Sequence, residues 1–296
     1  MKAIRQAKFQ AIGTEWDIQV QAALTDNTWA QLVDRIQKRA EAFDALYSRF
    51  RPDSLVSRMA REPGSYTMPP DCYKLLSFYH QLYKVTSGKV TPLIGQTMVD
   101  AGYDAAYSLQ KKALHQPPKW DETLLSYTES TIANKQSVLL DFGAAGKGYL
   151  VDIVSELIEA AGIHAYIINA GGDIRYHSPQ PWQTLEIGLE NPLDTSEAIG
   201  IVTVANGSLC ASAGSKRKWA GINHIIDPVT LESPEDIIAT WVLATDTMTA
   251  DGLATALSFT APDVLLKTFS FSYALLRKDM SLQYSKDFPV KIFEAA

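Results

Sequence analysis

Cysteine is scarce in this sequence of 296 residues. The two cysteines, Cys72 and Cys210, lie in different segments, and their spacing fits neither a zinc finger nor a disulfide scaffold. We expect both to be small, buried side chains. Long apolar runs are missing as well, since no window approaches the roughly 18 apolar residues of a membrane-spanning helix. The sequence therefore predicts no transmembrane segment.

Positive charge is not in excess either. The formal net charge is −6 and no lysine- or arginine-rich run occurs, which argues against nucleic acid as a partner. The first ten residues include basic side chains but no continuous apolar stretch, so they do not predict a signal peptide. No cysteine lies near them to carry a lipid. We expect a cytoplasmic location for the sequence as it stands, and a periplasmic one if an export signal has been removed.

The periodicity of apolar residues predicts a mixture of strands and helices. Strands are expected at 9–22, 137–140, 164–170, 185–189, 199–204, 209–212, 223–227, 237–244 and 271–277. Helices are expected at 28–47, 54–60, 69–86, 149–161, 246–259 and 262–269. Because they follow no strict βαβ repeat, we expect an α+β fold of layered sheet and helices. One domain is expected over 1–296, with a helical part at about 1–125 and a sheet part at about 126–296.

The stretch from 137 to 162 is the most informative part of the chain. A short apolar segment leads to Asp141, and small residues follow at 143–148, where a ligand can approach the backbone closely. A helical pattern then runs from Tyr149 to Gly162, which is placed to cap it. A strand, a small-residue loop and a helix N-terminus in series favour the binding of an anion such as phosphate.

Two interpretations of this stretch stay open. It is not a P-loop, because Gly148 follows Lys147 where a magnesium-binding hydroxyl belongs. It also lacks the glycine spacing of a Rossmann turn. A P-loop NTPase is thus disfavoured, and a tight strand-to-helix connection without a ligand explains the pattern as well as an anion site does.

Asp251 and Thr255 are four residues apart on a predicted helix, so their oxygen atoms project from one face. A carboxylate and a hydroxyl suit a hard cation such as Mg²⁺. The alternative is structural, with Asp251 favoured by the helix dipole and Thr255 bonded back to the helix.

His224 is the histidine set in a short predicted strand with a carboxylate, Asp227, three residues on. In that setting it could act as an acid or a base near neutral pH, although a lone histidine is more often a satisfied polar group. The other four histidines have no such neighbour, and we interpret them as structural.

Two further segments are candidates for ligand contact. Asn169, Gly171 and Gly172 lie at a predicted strand end, where a glycine pair makes a turn or lets a flat or phosphate-bearing ligand lie against the main chain. Ser212 belongs to a segment with hydroxyls and two cations, which suits a phosphate or a ribose, or simply forms a solvated loop.

The order of these motifs is more specific than any one of them. The series comprises Gly13-Thr14-x-Trp16, Arg51-Pro52-Asp53-Ser54, Asp141-Phe142-Gly143-x-x-x-Lys147-Gly148-Tyr149-x-x-Asp152, Asn169-x-Gly171-Gly172-Asp173, Ser212, His224-Ile225-Ile226-Asp227-Pro228 and Asp251-x-x-x-Thr255. It resembles the bacterial FAD:protein FMN transferases, the ApbE-like flavin transferases, over about 9–277. The resemblance implies a layered fold with flavin and metal bound in a cleft between subdomains.

The resemblance also implies an activity. Such enzymes bind FAD and magnesium, cleave the pyrophosphate, and pass FMN to a threonine or serine hydroxyl of an acceptor protein, with release of AMP. Some members only hydrolyse FAD to FMN and AMP, and a non-catalytic FAD-binding protein on the same scaffold is a third possibility. The proton of the incoming hydroxyl would pass to a carboxylate or to His224, and the sequence leaves both open.

Site residues follow from the resemblance position by position. Asp251 and Thr255 match metal ligands, with the main-chain carbonyl of Ala144 as a third, and His224 matches a histidine implicated in activity. Positions that match cofactor contacts are Phe50, Lys89, Val90, Thr91, Asp141, Lys147 and Ile225.

The chain departs from the family pattern at three places. Val90-Thr91-Pro92-Leu93 replaces a common Phe-Asp-Pro-Thr, so that a carboxylate near the cofactor is lost. At the second place, this chain has Asp227-Pro228-Val229-Thr230-Leu231 where the family usually has Asp-Pro-Arg-Thr-Gly. At the third, it has Ala211-Ser212-Ala213 where the family has Thr-Ser-Gly.

Overall fold

The computed structural model describes residues 4–180 and 182–293. The helices are α1 Asp26–Tyr47, α2 Leu55–Arg61, α3 Asp71–Val85, α4 Gly95–Asp100, α5 Gly146–Ala160, α6 Thr247–Ala256 and α7 Pro262–Leu265. The strands are β1 Ile4–Ala11, β2 Thr14–Gln21, β3 Gly64–Thr67, β4 Leu125–Tyr127, β5 Thr131–Asn134, β6 Tyr166–Ala170, β7 Asp173–His177, β8 Leu185–Glu190, β9 Ala198–Val204, β10 Gly207–Ala213, β11 Lys218–Trp219, β12 Ile222–Asn223, β13 Ile237–Ala244, β14 Ser272–Arg277, β15 Leu282–Tyr284 and β16 Val290–Ile292.

An eight-stranded antiparallel sheet organises the fold, in the order β1-β2-β6-β7-β10-β13-β14-β15. β2 pairs with β6, with Trp16 opposite Ala170, so the first two strands lie in the same sheet as the strands from the second half of the chain. Two three-stranded sheets, β16-β9-β8 and β3-β5-β4, accompany it.

The large sheet is covered on both faces. Along β13, Trp241 packs with Val202 and Leu189 of the β16-β9-β8 sheet, whereas Val242 packs in the main core with the helices. This alternation follows from the period of two along a strand. Three layers result: helices, the large sheet and a smaller sheet.

Helices α5 and α6 pack against each other because Gly148 removes a side chain at their contact. A Cβ atom at Gly148 would lie 2.3 Å from the Thr247 carbonyl oxygen and 2.7 Å from the Asp251 Cβ. Both helices are mostly buried, with Leu150 and Leu253 fully enclosed. The close approach fixes where the Asp251 side chain sits relative to the first turn of α5.

Several predicted elements differ in the structure; the helix expected at 262–269, for example, ends at Leu265. The strand expected at 9–22 is a hairpin that turns at Ile12 and Gly13, both with positive φ. The segment 137–140 is buried in part but has no partner strand, and 223–227 is strand only at its first residue. A pattern of apolar residues indicates burial, but a strand also requires a neighbour in register.

Across 4–180 and 182–293, no helix is both long and apolar enough to cross a membrane. The single domain expected over 1–296 also spans residues 1–3, 181 and 294–296, which lie outside the described residues.

Candidate functional site

A cavity of about 910 Å³ opens where α1, the start of α5, the ends of β6 and β10, and the segments 89–107 and 217–226 meet. Its volume lies near the upper end of the range for ligand pockets. Positions from the whole length of the described chain contribute, from Ile12 to Phe259.

The structure brings nearly all of the predicted site residues to this cavity. Those that line it are Phe50, Lys89, Val90, Thr91, Asp141, Ala144, Lys147, Gly171, Gly172, Ser212, His224, Ile225, Asp251 and Thr255. Asn169 does not line it; its Oδ1 accepts the amide N–H of Gly172 at 2.9 Å and so shapes the turn that follows β6. The predicted binding roles of these residues stay predictions.

Several amide groups of the loop before α5 already have acceptors within the protein. The Tyr79 hydroxyl accepts the amide groups of Ala144 and Ala145, each at 3.1 Å. The neighbouring amides also have acceptors. The Gly143 amide donates to the Asp141 carboxylate at 2.7 Å, the Gly146 amide donates to the Phe142 carbonyl at 2.7 Å, and the Gly148 amide donates to the Asp251 carboxylate at 2.9 Å. These five N–H groups have acceptors within the protein, so fewer donors are left for an anion at this helix N-terminus.

Asp251 lies at the inner wall of the cavity, at the positive end of the α5 dipole. Its Oδ2 accepts the Gly148 amide, and the side chain is buried. Burial, and then the nearby Asp173 carboxylate, raise the pKa of Asp251, while Lys147 opposes them. Lys147 itself is ion-paired with Asp173. Burial alone would lower the pKa of Lys147, but Asp173 and Asp251 outweigh that effect and raise it to about 12.

These charges bear on whether a metal fits here. Two buried carboxylates share one ammonium group, so one negative charge is unbalanced when both are ionised. Thr255 and Ala144 line the same cavity as Asp251. A divalent cation would balance that charge. Within the part of the chain that the structure describes, no three His, Cys, Asp or Glu side chains are gathered to hold a metal. The predicted set is of another kind, with one carboxylate, one hydroxyl and one main-chain carbonyl.

His224 presents a ring nitrogen without a partner. Its Nδ1 is buried and has no hydrogen-bond partner among the described residues, while its backbone N–H donates to the Arg217 carbonyl at 3.2 Å. Burial, and then the Arg217 guanidinium, lower the pKa of His224 to about 4. The imidazole is therefore neutral at pH 7 and able to accept a proton from a group in the cavity.

This pKa predicts a pH dependence of stability. The pKa of an unfolded histidine is about 6.5, so between about pH 6.5 and 4 the unfolded chain binds a proton that the native chain does not. Stability therefore falls as the pH is lowered through this window. We expect His224→Gln to remove about 2 kcal/mol of that loss, measured by urea unfolding at pH 7 and 4.5. His164→Gln, at an exposed site, is the control, and equal pH profiles for the two variants would contradict the prediction.

Aromatic rings line the cavity opposite α5. Phe50 and Tyr107 are stacked with ring centroids 5.3 Å apart and an interplanar angle of 8°, and Tyr103 meets both edge-on. The Arg49 guanidinium lies 4.1 Å from the centroid of Phe50 and is paired with Asp141. The cavity thus has a charged inner end and an aromatic side, an arrangement that suits a ligand with both phosphate and flat rings.

Comparison with known proteins identifies the family. The sequence profile described as the ApbE family matches residues 12–273.

The chain belongs to the ApbE family. An FAD:protein FMN transferase of Haemophilus influenzae is 26% identical to it over 302 residues, which cover 91% of this chain and 86% of that protein. One from Rhodobacter capsulatus is 27% identical over 210 residues, or 65% of this chain and 39% of that protein. One from Salmonella typhimurium is 22% identical over 275 residues, which cover 84% of this chain and 76% of that protein.

Solved ApbE structures have the same fold. The flavin transferase ApbE from Vibrio cholerae superposes with a TM-score of 0.78 at 20% identity, covering 97% of this chain and 98% of its own. The ApbE protein from Thermotoga maritima superposes with a TM-score of 0.80 at 19% identity, covering 96% of this chain and 97% of its own. These likenesses confirm the α+β fold that the sequence predicts.

In this ApbE chain, Asp152 has a role that the motif alone did not assign. The Asp152 carboxylate on α5 accepts the amide groups of Thr247 at 2.7 Å and Met248 at 2.9 Å, and so caps α6. Because Asp251 on α6 accepts the Gly148 amide of α5, the two helices cap each other. Burial raises the pKa of Asp152 to about 6. A carboxylate one turn after a glycine-rich helix start was the only sequence signal for this pairing.

We expect Asp152→Ala to cost about 1–3 kcal/mol of stability, because two buried amide groups lose their acceptor. Turnover should fall as well, since Asp251 and Thr255 are carried by α6. Asp152→Asn keeps one side-chain acceptor and serves as the matched variant with a smaller loss. Thermal unfolding and a flavin transfer assay test this; equal melting temperatures for wild type and Asp152→Ala would contradict it.

Proposed function

We propose that this protein is a magnesium-dependent FAD:protein FMN transferase, which attaches FMN through a phosphoester to a threonine or serine of an acceptor protein and releases AMP. One observation carries the proposal: the residues matched to metal, cofactor and proton transfer come from separate segments of the chain and line a single cavity. The names of the ApbE relatives, FAD:protein FMN transferases, support the same activity.

Magnesium would be held by the Asp251 carboxylate, the Thr255 hydroxyl and the Ala144 carbonyl, which all belong to the cavity wall. When bound, the ion would neutralise charge on the phosphoryl oxygens of the pyrophosphate. Burial and Asp173 raise the pKa of Asp251, and a cation at this position would favour the ionised form of the carboxylate.

The chain's own residues supply the rest of the reaction. The acceptor hydroxyl oxygen forms a bond to the FMN phosphorus, and the bond from that phosphorus to the bridging oxygen breaks, so that AMP leaves with the bridging oxygen. The His224 imidazole, which lines the cavity and is neutral at pH 7, accepts the hydroxyl proton. Lys89 and Arg217 on the cavity wall attract the anionic phosphates, whereas the charge of Lys147 is offset by Asp173 and Asp251.

The test is incubation of the protein with FAD, Mg²⁺ and a candidate acceptor domain, followed by intact-mass measurement of the acceptor. An increase equal to one FMN residue, with AMP in the supernatant, supports the proposal. The same acceptor with its threonine replaced by alanine is the control. Free FMN and AMP without an adduct would indicate FAD hydrolysis instead, and unchanged FAD would indicate a binding protein; either result contradicts the transferase.

A further inference from the structure

Phe50 matches the family's aromatic residue beside the cofactor, but neither face of its ring is free. The Arg49 guanidinium lies over the Phe50 ring, 4.1 Å from its centroid. The Tyr107 ring is stacked on the Phe50 ring and nearly parallel to it, with the two centroids 5.3 Å apart. Arg49 is held firmly, since its side chain is 2% exposed, is paired with Asp141, and donates to the Tyr103 carbonyl at 2.6 Å. A flat ligand could reach the Phe50 ring only by displacing part of this stack.

Tyr107 ends the stack on the side of the cavity. It lines the cavity and is 51% exposed, although one ring face is packed on Phe50 and its edge meets Tyr103. Since Phe50 covers one face of the Tyr107 ring, a flat ligand in the cavity could stack only on the opposite face. The order from the protein interior outward is Arg49, Phe50, Tyr107, and then the open cavity.

The turn that carries Tyr107 is built to hold it there. Tyr107 has φ of +49°, a conformation that disfavours a bulky side chain. The Asp104 carboxylate accepts the amide groups of Ala106 and Ser108, each at 3.0 Å, and the Tyr107 amide donates to the Asp104 carbonyl at 3.0 Å. Backbone strain that is kept in place by surrounding contacts is typical of residues that position a ligand.

From this geometry we propose that Tyr107, and not Phe50, provides the surface on which a flat ring of bound FAD stacks. The inference rests on the proposed function and adds a positioning residue to its binding site. Stacking on Tyr107 keeps the Arg49–Phe50–Tyr107 stack intact and extends it by one ring. Stacking on Phe50 would first break an existing aromatic pair.

The experiment titrates the protein with FAD, FMN and AMP in the presence of Mg²⁺, followed by calorimetry and by flavin fluorescence, which a stacked tyrosine quenches. We expect Tyr107→Leu to weaken FAD binding about tenfold and to lose the quenching. Tyr107→Phe keeps a ring, so it should retain affinity but quench less. Tyr284→Leu, at a tyrosine of equal exposure outside the cavity, should match wild type.

The separate ligands show which ring stacks. If Tyr107→Leu binds FMN more weakly and AMP as well as before, the isoalloxazine stacks on Tyr107. If it binds AMP more weakly and FMN as well as before, the adenine stacks there. Either result supports the inference. Unchanged affinity for all three ligands, or tighter binding, would overturn it, the latter because Tyr107 would then be an obstacle. If the unaltered protein binds no FAD, the proposed function itself fails, and that result is distinct from a failure of Tyr107→Leu alone.

Discussion

Asp251→Asn should lower magnesium-dependent FMN transfer at least about a hundredfold while the free energy of unfolding changes by less than about 1 kcal/mol. The amide oxygen of asparagine can still accept the Gly148 N–H that Asp251 accepts at 2.9 Å, so the α5–α6 contact persists. The negative charge that would hold the cation is lost. Initial rates over a range of Mg²⁺ concentrations, together with thermal unfolding, measure the two quantities.

Asp100→Asn is the matched control for this experiment. Asp100 is also buried and hydrogen-bonded, to His115 at 2.7 Å, but it lies outside the cavity. It should leave the transfer rate unchanged. Normal turnover with a large loss of stability in Asp251→Asn would instead favour the structural interpretation of this carboxylate.

The second large effect is expected from Gly148→Ala. The added Cβ would meet the Thr247 carbonyl oxygen at 2.3 Å and the Asp251 Cβ at 2.7 Å, and neither neighbour can move without shifting α6. We expect a loss of about 3 kcal/mol, because overpacking forces backbone displacement. The melting temperature should fall by about 6–12 °C, and transfer should fall with it because Asp251 is displaced.

Gly64→Ala controls for the loss of a glycine. A Cβ there would meet only the Tyr66 ring, at an ordinary 3.7 Å, so the melting temperature should change little. If both alanine variants melt together, the contact between α5 and α6 does not depend on the missing side chain.

Local patterns predicted the site better than they predicted its surroundings. The spacing of Asp251 and Thr255 places both on one helix, and both line the cavity. The sequence left an anion site and a ligand-free connection open at the start of α5, and it did not show that Tyr79 and Asp251 supply acceptors for several of its amides. Those partners are distant in sequence, and no local pattern shows them.

The aromatic and turn residues illustrate the same limit. Asn169 was expected at the ligand because of its glycine neighbours, but its side chain bonds Gly172 within the turn. Phe50 was expected beside the cofactor, but whether a ligand can reach its ring depends on Arg49 and Tyr107. The Arg49 guanidinium and the Tyr107 ring contact Phe50 only in the folded chain. Residue type and spacing predict which chemistry is present, whereas access to a ring face depends on packing.

The mutual capping of α5 and α6 makes the two helices one mechanical unit. The Asp251 side chain lines the cavity and accepts the Gly148 amide, so it connects the cavity wall to the main chain of α5. Exchange of the Gly148 amide proton with solvent would therefore report on a change at Asp251 without any assay of turnover.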